Sequence, residues 1–267
     1  MTVEILLLLA AGLVGGFLAG LLGVGGGIVF APVLLYYFGW LGVPDTALVP
    51  LTAGTSLLCT WLSSAASAWF QARRDSVDWK TASITGLCSI VSVWLVKEYV
   101  TTAEWYTPEV FARVFAVVLL IVVVRMVTGR DDDSRGRKVR QGWLPAIGLG
   151  GGALSAAIGI GGGIVLVPAY NKLARLPLRL ALGTSSATIL VTTAAGVLAY
   201  AFTVDTAFGS PQGTVGAVAF GHALALGLPA IFAARWGVRV GQNASTQYLR
   251  WAFAALAGFV ALRLLLG

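Results

Sequence analysis

Two apolar segments of this chain carry the same glycine spacing 136 residues apart. GLVGGFLAGLLGVGGGIVFAP begins at Gly12, and GLGGGALSAAIGIGGGIVLVP begins at Gly148. Gly15, Gly16, Gly23, Gly25, Gly26, Gly27 and Pro32 align with Gly151, Gly152, Gly159, Gly161, Gly162, Gly163 and Pro168. A second match follows in the same order, LTAGTSLLCTWLSSAA from Leu51 against LALGTSSATILVTTAA from Leu180. A weaker third relates 108–128 to 246–266. Ordered matches at near-constant spacing mark an internal duplication, a common design of secondary transporters. The polar stretch RDDDSRGRKVRQG separates the copies, giving a first repeat 1–129, a linker 130–142 and a second repeat 143–267.

Both copies are built for lipid. Of the 267 residues, 58% are hydrophobic and 11% charged, whereas soluble domains carry about 25% charged residues. Apolar segments fall at 3–38, 47–70, 80–100, 108–128, 143–172, 179–203, 214–236 and 246–266. A helix needs about 20 apolar residues to cross a bilayer. The opening MTVEILLLLAAGL has an acid where a secretory signal has basic residues, and it is read as retained structure. The net charge of +7 comes from basic residues in short loops, so it orients the chain in the membrane and implies no nucleic acid partner. Cys59 and Cys88 lie in apolar runs and suggest neither a disulfide framework nor a metal site.

Charge also chooses the topology. If each of the eight segments crossed once, ten Lys and Arg would face one side and eight the other. If 3–38 and 143–172 each enter and leave on one face, the second repeat turns over and the split becomes fifteen against three. The positive-inside rule favours the second arrangement, with both termini outside and residues 129–142 in the cytoplasm. These two segments are also the long ones, and each carries a GxGGG cluster that disfavours a continuous helix. The predicted fold is an all-α integral membrane protein of two inverted-topology repeats. Each holds a glycine-broken, re-entrant or discontinuous segment plus three transmembrane helices.

A helix restarting at Gly26 or Gly162 would present unpaired amides and a positive dipole end, which suits an anion. Gly25, Gly26, Gly27, Gly161, Gly162 and Gly163 are therefore candidate substrate-binding residues. The competing account, tight helix packing, fits Gly12, Gly16 and Gly20 at their spacing of four better than it fits a repeated triplet. The hydroxyls of Thr55 and Ser56 recur as Thr184 and Ser185 beside a glycine in both repeats, with Ser186 adjacent to the second pair, and they either complete the anion's hydrogen bonds or bond their own helix. For Ser63, Ser64, Thr192 and Thr193 the packing account is preferred. His222 has no counterpart in the first repeat and is read as structural rather than as a proton relay. Arg113 and Arg250 match in position and are read as snorkelling to the interface. Asp45 and Asp205 fall in outer loops, and Asn171 ends a helix. Trp40, Trp79, Trp105, Trp143 and Trp236 near segment ends fit an interfacial belt. The sequence holds no HExxH, no CxxC and no carboxylate–histidine cluster, so no enzyme, cofactor or metal is expected.

The paired GxxxGxxGxGGGxxxxP segments, Gly16–Pro32 and Gly152–Pro168, each precede a GTS-bearing helix, at Gly54-Thr55-Ser56 and Gly183-Thr184-Ser185. Nearly the whole chain thereby resembles the sulfite exporter TauE/SafE-like permease family. One departure is Ala156, which stands where the first copy has Gly20. The resemblance implies a multi-pass plasma-membrane permease for sulfite, a sulfonate or a related small organic anion. A permease or passive channel for another anion such as a carboxylate is the alternative. The implied partners are the small anion, the lipid bilayer and a coupling proton or sodium ion, and an oligomer is compatible with the reading.

Overall fold

The computed structural model describes residues 2–128, 139–202, 211 and 213–266. Linker residues 130–138, Asp205 and the side chain of Arg250 lie outside the described residues. The first repeat forms α1 (Thr2–Leu22), α2 (Gly27–Trp40), α3 (Asp45–Ala72), α4 (Trp79–Val96) and α5 (Pro108–Thr128). The second forms α6 (Leu144–Ile158), α7 (Gly163–Lys172), α8 (Leu178–Ala201), α9 (Phe220–Asn243) and α10 (Thr246–Leu266). The protein is an all-α membrane protein. A two-residue hairpin, β1 (Thr214–Val215) with β2 (Val218–Ala219), precedes α9 where the hydropathy pattern predicts helix from 214. Among the described residues, Asp45–Ala72, Trp79–Thr101, Leu178–Ala201 and Phe220–Asn243 are long and apolar enough to cross a membrane.

Local sequence explains the helix starts. Pro44 and Pro177 precede α3 and α8 with nearly the same backbone, φ −57° and −53°, ψ 144° and 142°. Proline fixes φ and cannot continue a preceding helix, so these two starts are set by one residue type. Asp78 caps α4 by accepting from the Thr81 amide at 3.1 Å. The exposed rings of Trp40, Trp79, Trp105 and Trp143 lie at or beside helix ends, as an interfacial belt requires, whereas Trp236, also exposed, lies about two turns inside α9, which runs on to Asn243 past the segment end expected at 236.

The two repeats are interleaved. α1 packs on α9 of the other repeat, and its counterpart α6 packs on α4. A Cβ on Gly12, Gly16 or Gly20 would overlap the α9 backbone at Leu226, Ala230 or Ala234, and one on Gly148 or Gly152 would overlap α4 at Thr85 or Ser89. Small residues at a spacing of four let these backbones touch, as membrane helices do without a hydrophobic drive between them. At the centre α3 packs on α8, while α5 packs on α10 and reaches across to α7, and α10 reaches α2. A cavity of about 210 Å³ opens where α3 ends beside α9, lined by Phe70, Arg73, Arg74, Arg235, Val238 and Arg239. The Arg140 amide donates to the Ala174 carbonyl at 3.1 Å, tying the end of the linker to the turn after α7.

Candidate functional site

Both long apolar segments break at their glycine clusters. α1 stops at Leu22 and α2 starts at Gly27, while α6 stops at Ile158 and α7 starts at Gly163. The paired glycines share left-handed backbones: φ is 64° and 68° at Gly23 and Gly159, 81° and 82° at Gly25 and Gly161, and 78° and 76° at Gly26 and Gly162. Three such residues in five are accessible only to glycine without strain. Among the described residues, the amides of Gly27, Ile28, Gly163 and Ile164 have no hydrogen-bond partner, which is the ordinary condition of a helix start.

The two GTS motifs perform matching tasks across the repeat boundary. Ser56 on α3 donates to the Gly159 carbonyl at 2.7 Å, and Ser185 on α8 donates to the Gly23 carbonyl at 2.6 Å. Each serine thus holds the break of the opposite repeat. Thr55 accepts from the Ala219 amide and Thr184 from the Asp78 amide, both at 3.0 Å. Ala219 and Asp78 are the N-cap residues of α9 and α4, so each threonine seats the start of a helix. Gly54 and Gly183 let the preceding loops approach, since a Cβ there would overlap the carbonyl oxygens of Ala217 and Ser76. Ser186 pairs with Ser67 at 3.0 Å and donates to the Leu182 carbonyl at 3.2 Å. All five candidate hydroxyls are buried and each has a partner within the protein.

The breaks meet one another mid-way along α3 and α8. A Cβ on Gly27 would lie 2.5 Å from Cα of Ile160, and one on Gly163 would lie 2.7 Å from Cα of Val24. Positions on Gly25 and Gly161 both look onto the Thr60 methyl and onto Ile189. The structure therefore brings all six candidate glycines to one crossing. Ser63 donates to the Gly25 carbonyl at 2.6 Å, a bond between elements, and also reaches the Thr60 carbonyl of its own helix at 3.1 Å. Thr60, through its methyl, and Ser64, through Oγ, sit at the same crossing; both residues are 0% exposed, and neither hydroxyl has a hydrogen-bond partner. A buried hydroxyl without a partner loses about 1–3 kcal/mol of desolvation, so two side by side ask for an occupant.

Sequence reasoning passed over Thr60 and gave Ser64 to packing. The available signal was the run Thr60, Ser64, Ser67 and Gln71 at helical spacing on α3, a polar stripe on a helix otherwise apolar along that face. All four are buried, and Gln71 Nε2 reaches Ser67 and Ser186 at 3.4 Å. His222 is wedged against Tyr37 and Phe38 with ring centroids 5.4 and 5.5 Å away, and its Nδ1 is buried without a partner. Asn171 does more than end α7: its Nδ2 donates to the Leu176 carbonyl at 3.0 Å and closes the following turn. Arg113 and Asp45 are exposed. Among the described residues, no three His, Cys, Asp or Glu side chains gather as metal ligands would.

A family model described as sulfite exporter TauE/SafE matches residues 8–264. A probable membrane transporter protein of Methanocaldococcus jannaschii is 29% identical over 268 residues, covering 97% of this chain and 95% of its own. Another of Haemophilus influenzae is 31% identical over 61% of each chain. One of Bacillus subtilis is 23% identical over 73% of this chain and 77% of its own. No solved structure matches the chain.

Proposed function

The chain belongs to the sulfite exporter TauE/SafE family, and on that premise we propose that it carries sulfite or a related sulfonate through the crossing of its two glycine breaks. Membership and the relatives make it a multi-pass membrane transporter. The substrate and the route are this proposal's own. The observation that carries it is the meeting of Gly25–Gly27 with Gly161–Gly163 beside two buried, unpartnered hydroxyls, Thr60 and Ser64.

The physics suits an anion. Two helix starts aim partial positive charge and free amides at the crossing without any lysine or arginine there. A buried cation would bind an anion more tightly and would itself cost several kcal/mol to place at that depth. Neutral donors bind a partly desolvated anion and still release it. In the present conformation the breaks touch, at Gly27 against Ile160 and at Gly163 against Val24. Admission of an anion therefore requires the two breaks to move apart, and doing so from one face and then the other is alternating access. The GTS hydroxyls hold the cradle and Thr60 and Ser64 line it.

The inverted arrangement of the repeats, with the basic loops in the cytoplasm of a plasma-membrane protein, is part of the same reading. It is supported by Arg73 and Arg74 sharing one cavity with Arg235 and Arg239. Eight single crossings would have put those pairs on opposite faces. The contact of Arg140 with Ala174 supports it in the same way.

Uptake of radiolabelled sulfite, methanesulfonate and acetate into proteoliposomes, with and without proton and sodium gradients, tests the proposal. Sulfite and methanesulfonate should enter and acetate should not, with one gradient accelerating entry. Acetate alone entering would favour the carboxylate permease, and entry of every small anion without saturation would favour a passive channel. The paired variants Thr60→Val and Ser64→Ala should lower uptake at least tenfold while leaving thermal stability equal or higher, because each removes a hydroxyl that the protein itself does not bond. Normal uptake in both variants would remove the crossing from the route.

A further inference from the structure

The cavity between the ends of α3 and α9, about 210 Å³, is lined by four arginines, Arg73, Arg74, Arg235 and Arg239. Each of three lies over an aromatic ring: Arg73 over Trp69 at 4.8 Å, Arg235 over Phe70 at 5.9 Å and Arg239 over Trp236 at 5.7 Å. None of the four forms an ion pair with a carboxylate among the described residues, although Asp75 follows Arg74 directly. Orientation in the membrane requires basic residues on one side but not their convergence from two helices onto a single cavity. Like charges at this range repel, with a screening length of about 8 Å at physiological salt. Rings held beneath the guanidiniums leave their edges free for a bidentate acceptor.

The cavity also adjoins the transport route. Phe70 lines it, and Gln71, the next residue, is buried and begins the stripe Gln71, Ser67, Ser64, Thr60 that runs along α3 to Gly25. We propose that this four-arginine basin is a second anion site, taking a small oxyanion such as sulfite or a sulfonate and delivering it to the stripe on α3. The delivery role rests on the transport reading above; binding in the basin does not. A lipid phosphate offers the same oxyanion chemistry from a different source, and the test separates the two.

Binding of sodium sulfite and sodium methanesulfonate to the full chain is measured by calorimetry in neutral detergent, and again in nanodiscs of phosphatidylcholine alone or with phosphatidylglycerol. The wild type should bind both probes, more weakly as salt rises. Arg73→Gln with Arg239→Gln should weaken binding at least tenfold, while Gly150→Ala, on the exposed face of α6 away from both sites, leaves binding unchanged. Arg73→Lys with Arg239→Lys keeps the charge that orients the chain and removes the planar fork. It should give an intermediate loss and guards against a misinserted Gln variant. Equal binding in wild type and both double variants, or no binding in the wild type, overturns the proposal. Binding of phosphatidylglycerol that excludes the free anions and is lost in the Gln variant would also overturn it, assigning the basin to a headgroup. Loss of binding in the Gln variant, together with normal uptake in Thr60→Val, would leave the second site standing and remove the route.

Discussion

Ser185 Oγ donates to the carbonyl of Gly23 at 2.6 Å, joining a helix of the second repeat to the break of the first. Its counterpart, Ser56 to Gly159 at 2.7 Å, joins them in the other direction. Removing either hydroxyl leaves a buried carbonyl with one bond fewer at the point where a helix stops. Interhelical hydrogen bonds in membrane proteins contribute about 0.6 kcal/mol on average and up to about 1.7. Ser56→Ala and Ser185→Ala should each lower the melting temperature by a few degrees in detergent. The double variant should lose about the sum of the two, because the bonds lie at different breaks. No shift in either would mean that the breaks are held by their glycines alone.

Thr55 and Thr184 separate support from ligation. Both accept an N-cap amide, from Ala219 and Asp78. Valine keeps the shape and leaves that amide unbonded, at about 1–3 kcal/mol. Thr55→Val and Thr184→Val should therefore reduce stability, while anion affinity in the protein that folds changes by less than a factor of about three. A tenfold loss of affinity at unchanged melting temperature would make these hydroxyls ligands instead.

The glycines of the GTS motifs predict a sharper effect. A methyl group on Gly183 or Gly54 meets a backbone oxygen that cannot swing aside, at Ser76 or Ala217. Gly183→Ala and Gly54→Ala should sharply reduce the yield of folded protein. Gly150→Ala is the control: the site is exposed on α6 with nothing within 4 Å of the added carbon. There the better helix former should stabilise by up to about 1 kcal/mol. Yield and melting temperature of the three variants check this.

Topology has a direct chemical test. Cys59 and Cys88 are replaced by alanine, and a single cysteine is placed at exposed Leu173, in the turn after α7. A membrane-impermeant maleimide added to intact cells should fail to label it, and should label it once the membrane is opened. Labelling from outside would refute the inverted arrangement and return 143–172 to a single crossing.

Much of this architecture is legible in the sequence because it depends on local chemistry. The breaks follow from glycine runs that no helix favours, and the helix starts follow from Pro44, Pro177 and Asp78. Close helix packing along α1 is foreshadowed by Gly12, Gly16 and Gly20, while the identity of its partner, α9, is not. The hydroxyls were less legible, for a physical reason. Ser63 and Ser64 are neighbours of one type on one helix, about 100° apart around its axis, and only the first reaches the Gly25 carbonyl. Which hydroxyl reaches across to the break depends on a chain segment 38 residues away. Likewise the four-arginine basin draws on residues more than 160 positions apart, and no spacing rule connects them. The hairpin before α9 was hidden because its residues are as apolar as the helix that follows.

The docking of α1 on α9 and of α6 on α4 carries a consequence for biogenesis. When the first 129 residues have been synthesised, α1 and α4 still lack the surfaces that cover their glycine faces. Those surfaces arrive only with α9 and α6, so the early half must wait in the bilayer, or in the care of the insertion machinery, until the late half emerges. Neither half is a protein that could have worked alone in this form. A gene cut within the linker should still yield transporter when both fragments are made in one cell, and neither fragment should accumulate by itself.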